Sequence, residues 1–320
     1  MRVLALLLVG CAAAPPLPSA TFARPEVHAA PSGPAAAESA SAPEAPATAE
    51  VSVVAPPRPP LGGGLVVTGA TRRPMLLFTF DDGPDPRATP AILDTLDAHG
   101  VRAVFFVVPN RLAADTTRGR SEAELLREIV RRGHIVGSHS MRHRHLHRLD
   151  PAEVRAEIEE AEAAIAAVLG ERPWLFRPPG GARSRTSDAL LRERGYTQML
   201  WDVITADFTT EDPDVVVRAF TRSLRGRIAR GSPGGVVLLH DTHPWTVEAL
   251  PQLLAFVEEE NCRRLVRGED LIDPSPDPGW FVVPAGDASA ETSAPPASPP
   301  EEAYAVHQTA LVEAARARCP

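Results

Sequence analysis

A membrane-spanning run, a cysteine framework and a block of clustered cations are all missing from this sequence. The N-terminal apolar run extends only from Val3 to Val9, far short of the about 20 residues a helix needs to cross a bilayer. Cysteine occurs three times, at positions 11, 262 and 319, so at most one disulfide can form within the chain. No Lys/Arg-rich block interrupts a net charge of -8. Phosphate backbones demand clustered cations, so the composition argues against nucleic acid as a partner. From Ala12 to about Gly64 large apolar residues are scarce, and Ala, Pro, Ser and Glu prevail. Such a segment cannot bury enough surface to offset its ordering entropy. What remains is sufficient for one large domain: the chain has 320 residues, 44% hydrophobic and 23% charged, and single barrels run to about 200–250 residues.

The opening "MRVLALLLVGCAAAPP" has one Arg and a short apolar core, which fits a signal peptide. Its "LVGC" resembles the lipobox of bacterial lipoprotein signals. That resemblance implies cleavage before Cys11, a lipid anchor on Cys11, and an exported lipoprotein held on the periplasmic or extracellular side of a membrane. With Cys11 lipidated, Cys262 and Cys319 either pair or stay free. Residues 1–11 are therefore expected to be signal and lipobox, and 12–64 a disordered tether. Pro-rich chain extends about 3.1 Å per residue, so this tether reaches on the order of 150 Å. A second Pro-rich stretch, 274–300, precedes a short amphipathic helix over 301–320 that caps the outside of the domain or frays in solvent.

Between these regions, over 65–273, short apolar runs alternate with helical ones. Strands are predicted at Leu76–Phe80, Ala103–Val108, Ile135–Ser138, Leu175–Arg177, Met199–Val203, Val236–Leu239 and Arg263–Val266. In Pro151–Leu169 the apolar residues Val154, Ile158, Ala161, Ile165 and Val168 recur at helical spacing, and Asp150-Pro151 with Glu153 is a start signal. "SEAELLREIV" from Ser121 carries the same S-x-x-E box. The fold class that follows is α/β, a distorted (β/α) barrel of about seven parallel strands forming a single catalytic domain. Closure is favoured because the polar constellations all sit at C-terminal strand ends, where barrels place their active sites.

Asp81 and Asp82 close the first run, "MLLFTFDDGP". Two adjacent carboxylates raise each other's pKa unless a cation lies between them, so the pair implies a metal or an Arg. "GSHSMRHRHLHRL" supplies His139 and His143, four apart, which one helical turn would point the same way. Two His and one Asp leave an open position for water, the pattern of a catalytic metal site. Arg177 in "RPPGG" is held extended by the following prolines. An Arg–carboxylate contact lowers the acid's pKa and keeps it ionised as a base. His240 ends the apolar run "VVLLH", and a site with an Asp base also needs an acid for the leaving group.

Taken in order, "TFDDG", "HSMRH", "RPPGG", "WDVITADF" and "LLH" resemble the five motifs of the polysaccharide deacetylase family, carbohydrate esterase family four, over roughly Pro74 to Val266. The resemblance implies Asp81 as general base and Arg177 orienting it. Asp82, His139 and His143 would be ligands of a divalent metal, zinc first, then cobalt, nickel or manganese. The Gly180 N–H would be an oxyanion donor, His240 the general acid, and Leu238 the lining of the acetyl pocket. Asp207 would orient Arg177 or His240, with Trp201 and Phe208 as substrate-binding residues. The fourth motif departs from the family at Ile204, which replaces an acid, and at Phe208, which replaces a Trp. Gly180, where an aromatic is common, implies a wider groove. The expected activity is metal-dependent hydrolysis of N-acetyl groups from an N-acetylglucosamine polymer, peptidoglycan or chitin-like, by a monomer. An O-acetyl esterase of the xylan type is the alternative, and so is a non-catalytic carbohydrate-binding lipoprotein. A two-carboxylate glycosidase would leave the paired His and the Arg without a role.

Overall fold

The computed structural model describes residues 66–69, 71–112, 115–281 and 300–319. The signal segment, the tether and Cys11 lie outside the described residues. The strands are β1 Val66–Val67, β2 Leu76–Asp81, β3 Val104–Val107, β4 Ile135–Ser138, β5 Leu175–Phe176, β6 Thr197–Met199, β7 Val203–Ile204 and β8 Gly235–His240. They form one eight-stranded sheet in the order β1-β6-β5-β4-β3-β2-β8-β7, with every pairing parallel. All residues of β2 and β3 are buried. Both faces are covered, which is why these strands read as continuous apolar runs rather than as alternations.

The sheet is strongly curled. β6 lies beside β1 near one end of the order and β7 ends the other, yet only Leu200 to Asp202 separates them in the chain. Four residue steps reach about 14 Å at most, so the two margins must approach each other. The expected distorted barrel is present, joined along this seam by a chain crossing. The predicted single strand Met199–Val203 is thus two strands with a crossing between them. Leu200 N–H donates to Val67 O at 2.7 Å and Asp202 N–H to Val236 O at 3.2 Å.

Helices α1 Thr89–His99, α2 Thr117–Arg131, α3 Pro151–Leu169, α4 Arg185–Glu193, α5 Pro213–Ala229, α6 Pro244–Arg267 and α7 Glu301–Arg318 complete the domain. α3 begins where predicted: Asp150 Oδ1 accepts from Glu153 N–H at 2.9 Å and Glu153 Oε2 from Asp150 N–H at 3.2 Å. Two expectations fail. α2 is capped by Thr116, whose side chain accepts from Gly119 N–H, so Ser121 lies inside the helix. Arg263–Val266 belongs to α6, in which Phe256, Val257, Glu260, Asn261 and Arg264 are buried at helical spacing while Val266 is 87% exposed. A short apolar run does not by itself distinguish a strand from a helix.

Residues 274–281, expected within the Pro-rich linker, pack Phe281 into a buried cluster with Val67, Met75 and Val236. α7 caps the outside of the domain. A Cys262–Cys319 disulfide ties it to α6, Tyr304 Oη donates to Asp270 Oδ2 at 2.8 Å, and the Gln308 amide bonds both backbone groups of Leu271.

Strand parity decides what faces the barrel interior. On β2, Leu76, Phe78 and Phe80 join the cluster under the helices, while Leu77 packs with Val104, Phe106, Met199 and Val236 on the other face. Thr79 and Asp81 therefore point inward with Leu77. On β8 the same alternation turns Leu238 and His240 inward with Val236.

Candidate active site

Asp81 is the last residue of β2 and stands in register with His240 of β8. Its carboxylate is buried and meets Arg177, which follows β5: Arg177 Nη1 donates to Asp81 Oδ1 at 2.7 Å and to Thr79 Oγ1 at 2.8 Å. Arg177 has no exposed surface. Its Nε donates to Met199 O at 2.9 Å and its Nη2 to Leu200 O at 3.2 Å, and the guanidinium lies over Phe106 at 4.1 Å and Trp201 at 5.5 Å. The crossing at the barrel seam is thus what holds the arginine. Burial raises the Asp81 pKa, and Arg177, which pulls the other way, does not cancel it. The expected lowering of Asp81 is reversed because one guanidinium nitrogen contacts a carboxylate that has lost nearly all its water.

Asp82 turns away from the strand with φ 76. His139 and His143 meet it, though not from a helical turn: Ser140 and His143 are themselves left-handed, with φ 65 and 54. The loop is pinned to α3 instead, by Met141 N–H to Glu157 O at 2.9 Å and Arg142 N–H to Glu157 Oε2 at 2.8 Å. His139 Nδ1 lies 2.7 Å from Arg177 O. A carbonyl only accepts, so Nδ1 carries the proton and Nε2 presents a lone pair. Burial drives the His139 pKa down to about 3, which keeps the ring neutral. Asp81 Oδ2, the oxygen that Arg177 leaves free, lies 3.6 Å from this Nε2.

Asp82 Oδ1 lies 3.7 Å from His139 Nε2 and 3.3 Å from His143 Nε2. It is sequestered from solvent without a hydrogen-bond partner. Lone pairs of a carboxylate and a neutral imidazole aimed at one another repel unless a cation lies between them. Three atoms, one from each residue, fall within 4.8 Å of one another, and tetrahedral zinc ligands at about 2.0–2.1 Å stand roughly 3.3 Å apart. The residues fit a divalent metal.

Across the mouth, His240 Nδ1 lies 3.0 Å from Asp207 Oδ1, and His240 N–H donates to Asp207 Oδ2 at 2.7 Å. Thr246 Oγ1 donates to the same Oδ2 at 3.0 Å. Thr205 Oγ1, whose shorter bond goes to Leu238 O at 2.7 Å, stands 3.3 Å from Oδ1. Trp245 Nε1 donates to the Asp207 carbonyl at 2.7 Å. Burial alone would lower the His240 pKa, but the Asp207 bond and charge, helped by Asp81 and Asp82, raise it to about 9. His240 is therefore cationic at neutral pH. Of the two partners expected for Asp207, His240 is the one it touches.

Leu238 is buried two residues before His240 on the same face. Phe208 is 53% exposed with its ring edge-on to His240 at 5.8 Å, and Ile204 is 48% exposed. Gly180 does not simply widen the groove, because the His145 ring occupies that space.

Several participants escape a reading by motif alone. Thr79 shares the strand parity of Asp81, and that parity is visible in the sequence. Thr246 and Trp245 converge on Asp207 only through the fold, whereas Thr205 is its neighbour two residues back. Asp241, next to His240, accepts from Thr89 Oγ1 at 2.6 Å, and burial raises its pKa to about 7. Its carboxylate lies against Gly83, where any Cβ would collide with it.

A family model described as polysaccharide deacetylase matches residues 68–199. A chitooligosaccharide deacetylase of Bradyrhizobium sp. (strain ANU 289) is 35% identical over 168 residues, 52% of this chain and 70% of that one. The peptidoglycan-N-acetylglucosamine deacetylase PgdA of Listeria monocytogenes is 31% identical over 185 residues, 58% of this chain but only 36% of PgdA. Among solved structures, the chitin deacetylase of the fungal pathogen Colletotrichum lindemuthianum superposes with a TM-score of 0.54 at 29% identity, covering 60% of this chain and 84% of that one.

Proposed function

The chain belongs to the polysaccharide deacetylase family, and on that premise we propose that it hydrolyses N-acetyl groups of an N-acetylglucosamine-containing polysaccharide, peptidoglycan or chitin-like, releasing acetate. The observation that carries this reading is the convergence of three separate devices on one mouth: the Arg177-held Asp81, the unsatisfied trio Asp82, His139 and His143, and the Asp207-held His240. A glycosidase needs only carboxylates, and a binding module needs none of these.

Asp82, His139 and His143 would hold a divalent metal, zinc first by donor set, whose chemistry when bound is Lewis-acid polarisation of the acetyl carbonyl and of the attacking water. Asp81 takes the proton from that water. Burial makes it a stronger base than an exposed aspartate, and Arg177 fixes which carboxylate oxygen is free. The Gly180 N–H donates to the developing oxyanion. His240, cationic and held by Asp207, gives its Nε2 proton to the departing amine. Leu238 lines the acetyl methyl pocket, and Trp201 and Phe208 wall the saccharide groove.

The "LVGC" segment supports export and a lipid on Cys11, which would hold the domain on a membrane surface near a cell-wall polymer. No helix among the described residues is long and apolar enough to cross a membrane. The test is acetate release from peptidoglycan and from chitin oligomers by the purified protein as prepared, after chelation, after zinc return, and with Asp81→Asn. Metal-dependent release that Asp81→Asn abolishes is expected. Release only from O-acetylated xylan, or none at all with metal bound, would sink the N-deacetylase reading. Retention in the membrane fraction, lost with Cys11→Ser, checks the anchor.

A further inference from the structure

The turn Pro178-Pro179-Gly180-Gly181 carries two consecutive left-handed glycines, with φ 64 and 69. Each makes room for a ring from another segment. A Cβ on Gly180 would stand 2.8 Å from His145 Cε1 and 3.2 Å from its Nδ1, and one on Gly181 would stand 2.9 Å from Trp201 Cη2. The His145 ring thus covers the turn next to the Gly180 N–H, and Trp201 covers it beside Arg177.

His145 is not loosely placed. It opens a 3₁₀ turn over Leu146–Arg148 whose Leu146 is wholly buried among Val154, Ile158, Phe176 and Leu190. Arg148 N–H donates to His145 O at 3.0 Å. The neighbouring Arg144 is tied to Glu153 at 2.8 Å. The residue is exposed, and its ring centroid lies 6.4 Å from that of His143. It is an imidazole fixed at its backbone, with its Cε1 and Nδ1 side against the Gly180 turn and the His147 ring 5.7 Å away, and one ring removed from the metal trio.

The geometry points to His145 as a substrate-positioning residue, forming with Trp201 the two ring walls that the Gly180-Gly181 turn carries at the entrance to the mouth. Its face covers the apolar C–H face of a hexosamine ring, and its ring hydrogen-bonds sugar hydroxyls. This role rests on the saccharide-deacetylase reading.

The test compares wild type, His145→Ala, Gly180→Ala and the double variant on N-acetylglucosamine oligomers, reading kcat and KM separately together with zinc content and melting temperature. With His145→Ala, KM should rise about five- to tenfold, the loss of one or two hydrogen bonds, with kcat within twofold and zinc still stoichiometric. Gly180→Ala, which forces the ring away, should raise KM in the same direction, and because it also strains the left-handed turn that presents the Gly180 N–H it should lower kcat as well, as His145→Ala does not. The KM of the double variant should be no worse than the larger single effect on KM, because both remove one wall. His145→Asn, which keeps hydrogen-bonding capacity, should recover part of the KM. An unchanged KM, or a loss explained by lost zinc, overturns the inference. The same variants are also read by oligomer binding in an Asp81→Asn background. If the parent binds oligomers yet wild type releases no acetate, the activity reading fails while weaker binding with His145→Ala upholds this one. If the parent binds no oligomer, both fail.

Discussion

On the β8 side of the mouth Asp207 is fully engaged, its two carboxylate oxygens and its carbonyl meeting donors from His240, Thr246 and Trp245. On the β4 side Asp82 Oδ1 is sequestered without a donor and faces two imidazole nitrogens. Left-handed backbone occurs on both sides, at Ala206 before Asp207 and at Asp82, Ser140 and His143, so the contrast lies in hydrogen bonding rather than in backbone conformation. The difference follows from the chemistry proposed for each side. A proton donor is complete when its hydrogen bonds are made, so the protein can satisfy it alone. A ligand set must keep its lone pairs unspent, and the repulsion between them is offset when a cation binds.

The largest effects should come from the pair between the two sides. Asp81→Asn is expected to lower kcat by about 10²–10⁴-fold, the range for losing a general base, with the fold kept as judged by circular dichroism. Arg177→Met leaves a buried carboxylate unpaired, and removing one partner of a buried ion pair costs about 3–5 kcal/mol. Urea denaturation measures that loss. A loss below about 1 kcal/mol would show that Asp81 sheds its charge without Arg177.

Chelation should abolish activity and displace His139 and His143 while leaving the His240 side intact. In imidazole NMR spectra the His240 N–H held by Asp207 should persist as the two ligand rings shift. Simultaneous loss of all three signals would erase the contrast between the two sides.

A smaller effect is expected from Asp207→Asn. His240 acts in its protonated form, so activity is lost as pH rises through its pKa, about 9 in the intact protein. Removing the Asp207 charge lowers that pKa, and the alkaline limb of kcat/KM should move down toward the ordinary histidine value of about 6.5. A limb that stays in place would assign the acid to another group.

The smallest effect on catalysis should come from the clamp on the far helix. The Cys262–Cys319 bridge closes a separation of 57 residues, and disulfides contribute about 2–4 kcal/mol to stability. Cys319→Ser should lower thermal stability by that order and leave kcat/KM within twofold. A large loss of activity would mean that α7 communicates with the mouth.

The legible parts of this chain are those where local chemistry has one outcome. The Asp150-Pro151-Glu153 start of α3 is readable because a capping box satisfies orphan N–H groups from within four residues. Asp81, His139, Arg177 and His240 are readable because each ends or follows an apolar run and brings a residue type with specific chemistry. Arg263–Val266 reads as a strand because four residues cannot express a period. Met199–Val203 reads as one strand because the crossing that interrupts it exists only once the sheet has curled. Thr246, Trp245 and His145 stay hidden because their neighbours, Asp207 and Gly180, are brought to them by the fold.

By itself the amino-acid sequence determined the alternation of strands and helices and the set of aspartates, histidines and arginine delivered to one mouth. These depend on periodicity and side-chain chemistry, which are local. Only the tertiary structure decided that Asp207 contacts His240 rather than Arg177, that burial outweighs Arg177 in setting the Asp81 pKa, that Cys262 pairs with Cys319, and that His145 fills the space at Gly180. Each of these is a matter of which distant groups come within a few ångströms of one another and how much water is left between them, and that is fixed by the curl of the sheet.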